Sequence, residues 1–173
     1  MPPSLPQRIT ARITELTGQY HQLLLVVGPG RTGKTASLSD IRQQRGWPLV
    51  HLNHALATLM LDLTRRQRRL RAAALVEDIV AEKGGEVVLV DHTELLFHPD
   101  LTLDPLPLLQ TLARTRTVVA AWRGQFWNDA LTYAAPSHPE YRSYHRPGVT
   151  IVTSDVAHGT EDPSAGPAPE PLS

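Results

Sequence analysis

Short apolar runs alternate with longer stretches of helical periodicity along most of the sequence. The apolar runs have the length and composition of buried parallel strands, and they occupy residues 23–27, 47–52, 86–91, 117–122 and 149–152. Between them, apolar residues recur at helical spacing over residues 36–45, 56–83 and 103–112. This alternation predicts an α/β fold, a three-layer sandwich in which helices cover both faces of about five parallel strands.

The same pattern divides the chain into three parts. Ile9, Ile13 and Leu16 are spaced for a leading helix within residues 1–19, which we expect to pack on the domain. Residues 20–154 carry the alternating strands and helices and form the predicted core. Residues 155–173 are rich in proline, glycine and acidic side chains, a composition that predicts a disordered tail.

The segment directly after the first apolar run, GPGRTGKT, matches the pattern GxxxxGK[ST] of a phosphate-binding P-loop, the Walker A motif. Its glycines allow the backbone to curl tightly and turn its N–H groups inward as an anion-binding nest. Lys34 can reach the β- and γ-phosphates of a nucleoside triphosphate, and Thr35 can place its hydroxyl on Mg²⁺. The predicted nucleotide-binding residues are Gly28, Pro29, Gly30, Arg31, Thr32, Gly33, Lys34, Thr35 and Ala36.

A triphosphate-binding loop also needs an acidic partner for its metal ion, and the third apolar run ends in one. Asp91 follows four apolar residues, which is the Walker B arrangement. It would lie at the carboxyl end of its strand, where open α/β sheets bind ligands. We therefore expect Asp91 and Thr35 to hold Mg²⁺, directly or through water.

Hydrolysis further requires a group that orients the attacking water. Many ATPases carry a glutamate directly after the Walker B aspartate, whereas this chain has His92 there and Glu94 two residues further on. We predict that Glu94 is the catalytic residue that activates water, with His92 as the second choice and Lys34 holding the phosphates. In the alternative interpretation Glu94 faces solvent or caps a turn, and hydrolysis is weak.

The composition narrows the cellular setting. The chain has 17 basic and 17 acidic residues, so its net charge gives no general argument for nucleic-acid binding. It has no cysteine, which excludes a disulfide framework and a thiolate zinc site. Its N-terminus lacks the apolar segment of a signal peptide, and no apolar run approaches the roughly 20 residues of a membrane span. We expect a soluble, cytoplasmic protein without membrane contact.

Beyond the P-loop, the sequence resembles BrxF, the family of small P-loop ATP-binding proteins of type 3 BREX bacteriophage-defence systems. The resemblance covers about residues 20–146 and rests on VVGPGRTGKT, LDLTRRQRRLR, VVLVDHTELLFHPDLTLDPLPLLQ, RTRTVVAAWRG and LTYAAPSHPEYRSY. It implies an AAA-like core that binds ATP and Mg²⁺ and acts with other BREX proteins in a complex that defends against phage DNA. AAA-type ring motors carry a helical lid domain after the fifth strand, and none is evident in this sequence. The chain therefore departs from the pattern of a complete ring motor.

Two groups of arginines suggest contacts with partners. The first group lies on one predicted helix and consists of Arg65, Arg66, Arg68, Arg69 and Arg71. In one interpretation these side chains contact DNA phosphates or an acidic partner. In the other they form a solvated face that pairs with nearby carboxylates.

Similarity to AAA-type ATPases suggests a role for the arginines before the fifth strand. In those proteins an arginine in this region reaches the nucleotide of a neighbouring subunit and neutralises charge on the transferred phosphoryl group. Arg142 or Arg146 would serve here if the chain forms a homo-oligomer, and each is otherwise an ordinary surface residue; Arg114 and Arg116 are the other candidates. Arg123, at the end of the fourth predicted strand, is either a phosphate sensor or a surface residue.

Three functions are compatible with these patterns. The first is an ATPase or ATP-dependent switch. The second is a nucleotide-binding scaffold that rarely cleaves ATP and recruits other defence proteins. The third is a small-molecule kinase, although the arginine-rich segment lies between the second and third strands, where kinases usually build the acceptor site instead of the lid.

Overall fold

The computed structural model describes residues 1–154, so the predicted disordered tail at 155–173 lies outside the described residues. The helices are α1 (Leu5–Thr14), α2 (Lys34–Arg45), α3 (Leu52–Met60), α4 (Arg65–Ala81) and α5 (Pro105–Leu112). The strands are β1 (Leu23–Gly28), β2 (Leu49–His51), β3 (Val87–Asp91), β4 (Thr117–Trp127), β5 (Ala130–Tyr133), β6 (Arg142–His145) and β7 (Thr150–Thr153). Short 3₁₀ turns at Glu94–Phe97 and Pro99–Leu101 follow β3.

Five of the strands form the predicted parallel sheet, in the order β2-β3-β4-β1-β7. Helices α1 and α2 cover one face, and α3, α4 and α5 cover the other. The predicted three-layer α/β fold is therefore confirmed. In this order β4 separates the P-loop strand β1 from the aspartate strand β3, and the carboxyl ends of all three strands lie at one edge.

The central strand β1 is buried along its whole length and contributes to both cores. Leu23, Leu25 and Val27 pack in the core that holds α3, α4 and α5, whereas Leu24 and Val26 pack against α1 and α2. Successive side chains of a strand point to opposite faces, which is why a continuous apolar run marks a strand covered on both sides. Each fully buried leucine contributes roughly 1.5–3 kcal/mol to folding.

The main departure from the sequence prediction is an antiparallel extension of the sheet. Strand β4 does not end at Trp122 but continues to Trp127, and it pairs with β5, which in turn pairs with β6. Asn128 and Asp129 connect β4 to β5 with φ values of 48° and 62°. Two successive positive φ values are typical of the tight hairpin turn that matches strand twist.

Aromatic packing fixes this extension to the parallel sheet. The rings of Phe97 and Tyr133 are stacked with centroids 3.5 Å apart, and Trp122 meets Phe97 edge-on at 4.9 Å. The indole N–H of Trp122 donates to the carbonyl of Thr132 at 3.0 Å. Gly124 allows this approach, since a Cβ there would lie 1.9 Å from the same carbonyl oxygen.

The long helical stretch that follows β2 is divided into α3 and α4. Thr64 begins α4 with a capping box, in which its hydroxyl accepts from the Gln67 N–H and the Gln67 side chain accepts from the Thr64 N–H. None of the described helices combines the length and apolar character needed to cross a membrane.

Candidate functional site

The loop between β1 and α2 has the backbone geometry that its glycines predict. Arg31 and Gly33 adopt positive φ values of 62° and 90°. A Cβ at Gly28 would lie 1.7 Å from the Ser154 hydroxyl, and one at Gly30 would lie 3.1 Å from the Arg123 guanidinium. No side chain caps the N-terminus of α2. Its first N–H groups and its dipole therefore face the loop, as in an anion-binding site.

Lys34 lies beneath this loop with only 8% of its surface exposed. Its ammonium donates to the carbonyls of Gly28 at 2.8 Å and Pro29 at 2.6 Å. Burial lowers the pKa of Lys34, and the charge of Glu94 opposes that shift. Arg123 lowers the same pKa further and Asp91 raises it, so these three charged groups lie within electrostatic reach of Lys34.

Asp91 presents one free carboxylate oxygen at the same edge of the sheet. The residue is 3% exposed, and its Oδ1 accepts from the backbone N–H of His92 at 2.8 Å. Its Oδ2 is buried and has no hydrogen-bond partner among residues 1–154. An unpaired buried carboxylate oxygen is costly unless a cation lies beside it. The residues present therefore fit Mg²⁺, with the Thr35 hydroxyl as a second oxygen ligand from the exposed start of α2.

Glu94 belongs to the first 3₁₀ turn after β3, and a residue that sequence reasoning missed holds it there. The side-chain amide of Asn53 donates to Glu94 Oε2 at 2.9 Å and accepts from the backbone N–H of Leu95 at 2.8 Å. The backbone N–H of Asn53 donates to the carbonyl of His92 at 2.9 Å. The sequence does carry a signal for Asn53, because it is a polar residue at the end of a predicted strand. The same kind of position identified Asp91.

Arg123 borders the phosphate loop. It pairs in register with Gly28. Together with His92, Ser39 and residues 30–36, it lines a cleft of about 820 Å³. A cleft of this volume is within the usual range of small-ligand sites. Lys34 and Arg123 line the cleft, and Asp91 and Glu94 do not line it but act electrostatically on Lys34. The individual roles predicted for the four residues stay predictions.

Arg142 and Arg146 lie on the antiparallel extension and do not line this cleft within the part of the chain that the structure describes. Arg142 is half-buried and donates to the carbonyls of Tyr141 at 3.2 Å and Leu103 at 3.3 Å. Arg146 has 78% of its side chain exposed and lies 3.6 Å from the Asp129 carboxylate. Of the two side chains, that of Arg146 is the more exposed.

The five arginines of the first turns of α4 divide into two groups. Arg65 forms an ion pair with Asp100 at 2.5 Å. Arg68 donates to the carbonyls of Met60 and Leu63 and so fastens α4 to the end of α3. Arg66, Arg69 and Arg71 form the second group and are exposed, as Arg65 also is despite its ion pair.

Comparison with known proteins adds a general likeness of fold. No protein-family model matches the sequence, and no curated protein matches it. The solved structures similar to it include AMPPCP-bound DnaA from Aquifex aeolicus, with a TM-score of 0.41 and 14% identity over 71% of this chain and 40% of that chain. A DNA replication initiation factor has a TM-score of 0.45 and 13% identity over 86% of this chain and 44% of that chain.

The chain therefore spans less than half the length of these structural neighbours. At such identities the likeness concerns the fold alone. The P-loop NTPase fold of this chain follows from its own strand order and from the strand, loop and helix at residues 23–45.

The chain has two lysines, Lys34 and Lys83, which provide a matched test of the phosphate loop. We predict that Lys34→Ala weakens binding of a non-hydrolysable ATP analogue by at least about tenfold, because hydrogen bonds to charged groups contribute roughly 1.5–3 kcal/mol. Isothermal titration calorimetry with Mg²⁺ measures this loss. Lys83→Ala, at an exposed position, should leave the affinity unchanged. Equal affinity of all three proteins would contradict the site assignment.

Proposed function

We propose that this chain is a Mg²⁺-dependent ATP-binding protein that hydrolyses ATP and acts as a nucleotide-driven switch. The observation that carries the proposal is that Asp91 and Glu94, at and after the end of β3, lie close enough to Lys34 of the Walker A loop to act on its charge. A binding loop alone supports nucleotide affinity. An adjacent carboxylate on a separate turn supports cleavage, because it can orient a water molecule.

Each residue has a defined part in this proposal. The backbone N–H groups of residues 30–35 and the Lys34 ammonium hold the phosphates, and Lys34 exchanges its bonds to the Gly28 and Pro29 carbonyls for phosphate oxygens. Thr35 and Asp91 hold Mg²⁺, which when bound neutralises charge on the phosphates. Glu94 orients water toward the terminal phosphate, and Arg123 contacts the charge that develops there.

One observation favours the second function, a scaffold that binds ATP and seldom cleaves it. The Asn53 amide occupies one oxygen of the Glu94 carboxylate. A carboxylate engaged in this way is a weaker acceptor for the proton of an attacking water. We propose that the Asn53–Glu94 hydrogen bond represses hydrolysis until a partner or a second subunit breaks it. The two candidate functions then differ in one respect: the bond opens in an ATP-driven switch and stays closed in a scaffold.

We further propose a cytoplasmic role in a BREX anti-phage complex, supported by the sequence resemblance. Other BREX proteins would be its partners, and the exposed arginines Arg66, Arg69 and Arg71 would contact DNA phosphates. In a homo-oligomer, Arg146 would reach the nucleotide of a neighbouring subunit. Its 78% exposed side chain supports this assignment over the half-buried Arg142.

Two variants test the hydrolytic role of Glu94 and its control by Asn53. Glu94→Gln should lower the rate of phosphate release by roughly 10²–10⁴-fold, since it removes the water-orienting carboxylate. Asn53→Asp keeps an acceptor for the Leu95 N–H but cannot donate to Glu94, so it should raise the basal rate. Phosphate release is measured with and without DNA, and affinity for the ATP analogue is measured alongside.

The matched control is Glu77→Gln, at an exposed glutamate of α4, which should leave the rate unchanged. If the unmodified protein and Asn53→Asp both release no more phosphate than Lys34→Ala, the hydrolytic proposal is wrong and the scaffold function remains. A rate that is unaffected by Glu94→Gln would remove Glu94 from the mechanism.

Charge removal on α4 tests contact with DNA. Replacing Arg66, Arg69 and Arg71 together with glutamine should weaken DNA binding and reduce the slope of log K against log salt, by up to about 0.9 for each phosphate that the variant no longer neutralises. Fluorescence anisotropy with duplex DNA at several salt concentrations gives both quantities.

The control for this test removes the same charge from other exposed surfaces, by replacing Arg12, Arg42 and Arg45 with glutamine. If both triple variants lose affinity equally, only the net charge matters. If neither loses affinity, the exposed arginines of α4 do not bind DNA.

A further inference from the structure

Three potential metal ligands converge beside the phosphate loop, and the proposed hydrolysis gives the two histidines among them no step, although His92 also lines the cleft. They are His51 at the end of β2, Asp91 at the end of β3, and His92 directly after it. One ligand atom from each lies within 4.8 Å of the other two. The histidine rings are exposed and their centroids are 5.6 Å apart, whereas the carboxylate is buried.

The backbone brings these groups together. His51 pairs in register with Asp91, so their side chains lie on the same face of the sheet. In a regular strand the next residue would point to the opposite face. His92 instead adopts a φ of 52°, an uncommon conformation for a residue other than glycine. The Asn53 N–H donates to the His92 carbonyl at 2.9 Å and ties the ends of β2 and β3 to each other.

The distances suit direct coordination. His92 Nε2 lies 3.6 Å from Asp91 Oδ2, the oxygen that has no hydrogen-bond partner among residues 1–154. Ligands about 2.1 Å from a tetrahedral ion lie about 3.4 Å apart, close to the observed separation. The unpaired oxygen thus lies beside the His92 imidazole, and a ligand nitrogen of His51 lies within 4.8 Å of the Asp91 carboxylate.

The ligand atoms, two imidazole nitrogens and one carboxylate oxygen, determine which metal ions the site prefers. Imidazole nitrogen favours Zn²⁺ and neighbouring transition metals, whereas Mg²⁺ and Ca²⁺ prefer oxygen ligands. Two histidines and one carboxylate with a free coordination position form the ligand set of an open zinc site. We propose that His51, Asp91 and His92 form a binding site for a divalent transition-metal ion of the Zn²⁺ class, beside the Mg²⁺-nucleotide site and sharing Asp91 with it.

The proposal does not depend on nucleotide binding, so its test uses the full chain without nucleotide. Co²⁺ is the probe, because a tetrahedral Co²⁺ complex absorbs visible light far more strongly than the hydrated ion. Titration should produce this absorbance at one ion per chain. His51→Ala and His92→Ala should each weaken Co²⁺ binding by more than about tenfold, since loss of even an outer partner of a ligand costs about 10–100-fold.

Controls separate this site from the other histidines, of which the chain has eight in total. His145→Ala, at an exposed histidine on β6, should leave the titration unchanged. Zn²⁺ should displace Co²⁺ at equal concentration, and millimolar Mg²⁺ should not. Far-ultraviolet circular dichroism verifies that each variant is folded. Weak octahedral absorbance only, or Co²⁺ affinity that His51→Ala and His92→Ala leave unchanged, would overturn the proposal.

Discussion

Two opposite charges are buried at the carboxyl edge of the sheet, and the rest of the site is organised around them. Lys34 is 8% exposed and Asp91 is 3% exposed. Charges removed from water are costly unless they are paired. Here the ammonium is satisfied by two loop carbonyls, while the carboxylate keeps one oxygen unpaired within residues 1–154. An anion at the loop and a cation at Asp91 would neutralise both groups, which is the arrangement that the proposed binding of a metal-bound polyphosphate requires.

The sheet enforces this proximity. Strand β4 lies between β1 and β3, so the P-loop and Asp91 occupy the ends of strands two positions apart. The side chain of Thr93 donates to the Ala121 carbonyl at 2.6 Å and holds the turn after β3 against β4. Glu94 follows on the same turn. The short path from Asp91 to Glu94 therefore places a second carboxylate within electrostatic reach of Lys34 without an Asp-Glu pair in sequence.

The strands, the P-loop and Asp91 could be predicted from the sequence because each depends on a local pattern. A continuous apolar run marks a buried strand, and a fixed spacing of glycines, lysine and threonine marks the loop. Asn53 could not be assigned a role, since its contact with Glu94 spans 41 residues and depends on the β2–β3 register. The antiparallel extension was missed because Asn-Asp is a weaker turn signal than Asn-Gly.

The end of β2 and the start of α3 contribute to both proposed sites. His51 at the end of β2 belongs to the proposed transition-metal site, and Asn53 in α3 donates to the Glu94 carboxylate. The Asn53 N–H also donates to the carbonyl of His92, so the two segments are bonded directly to each other.

The central claim is that Thr35 and Asp91 hold one Mg²⁺ ion between the P-loop and the third strand. A double-mutant cycle with Thr35→Ala and Asp91→Asn tests it most directly, using the Mg²⁺-dependent part of the affinity for an ATP analogue. If both residues act on one ion, the double variant should lose little more than either single variant, with a coupling energy above about 0.5 kcal/mol. Fully additive losses would contradict the account.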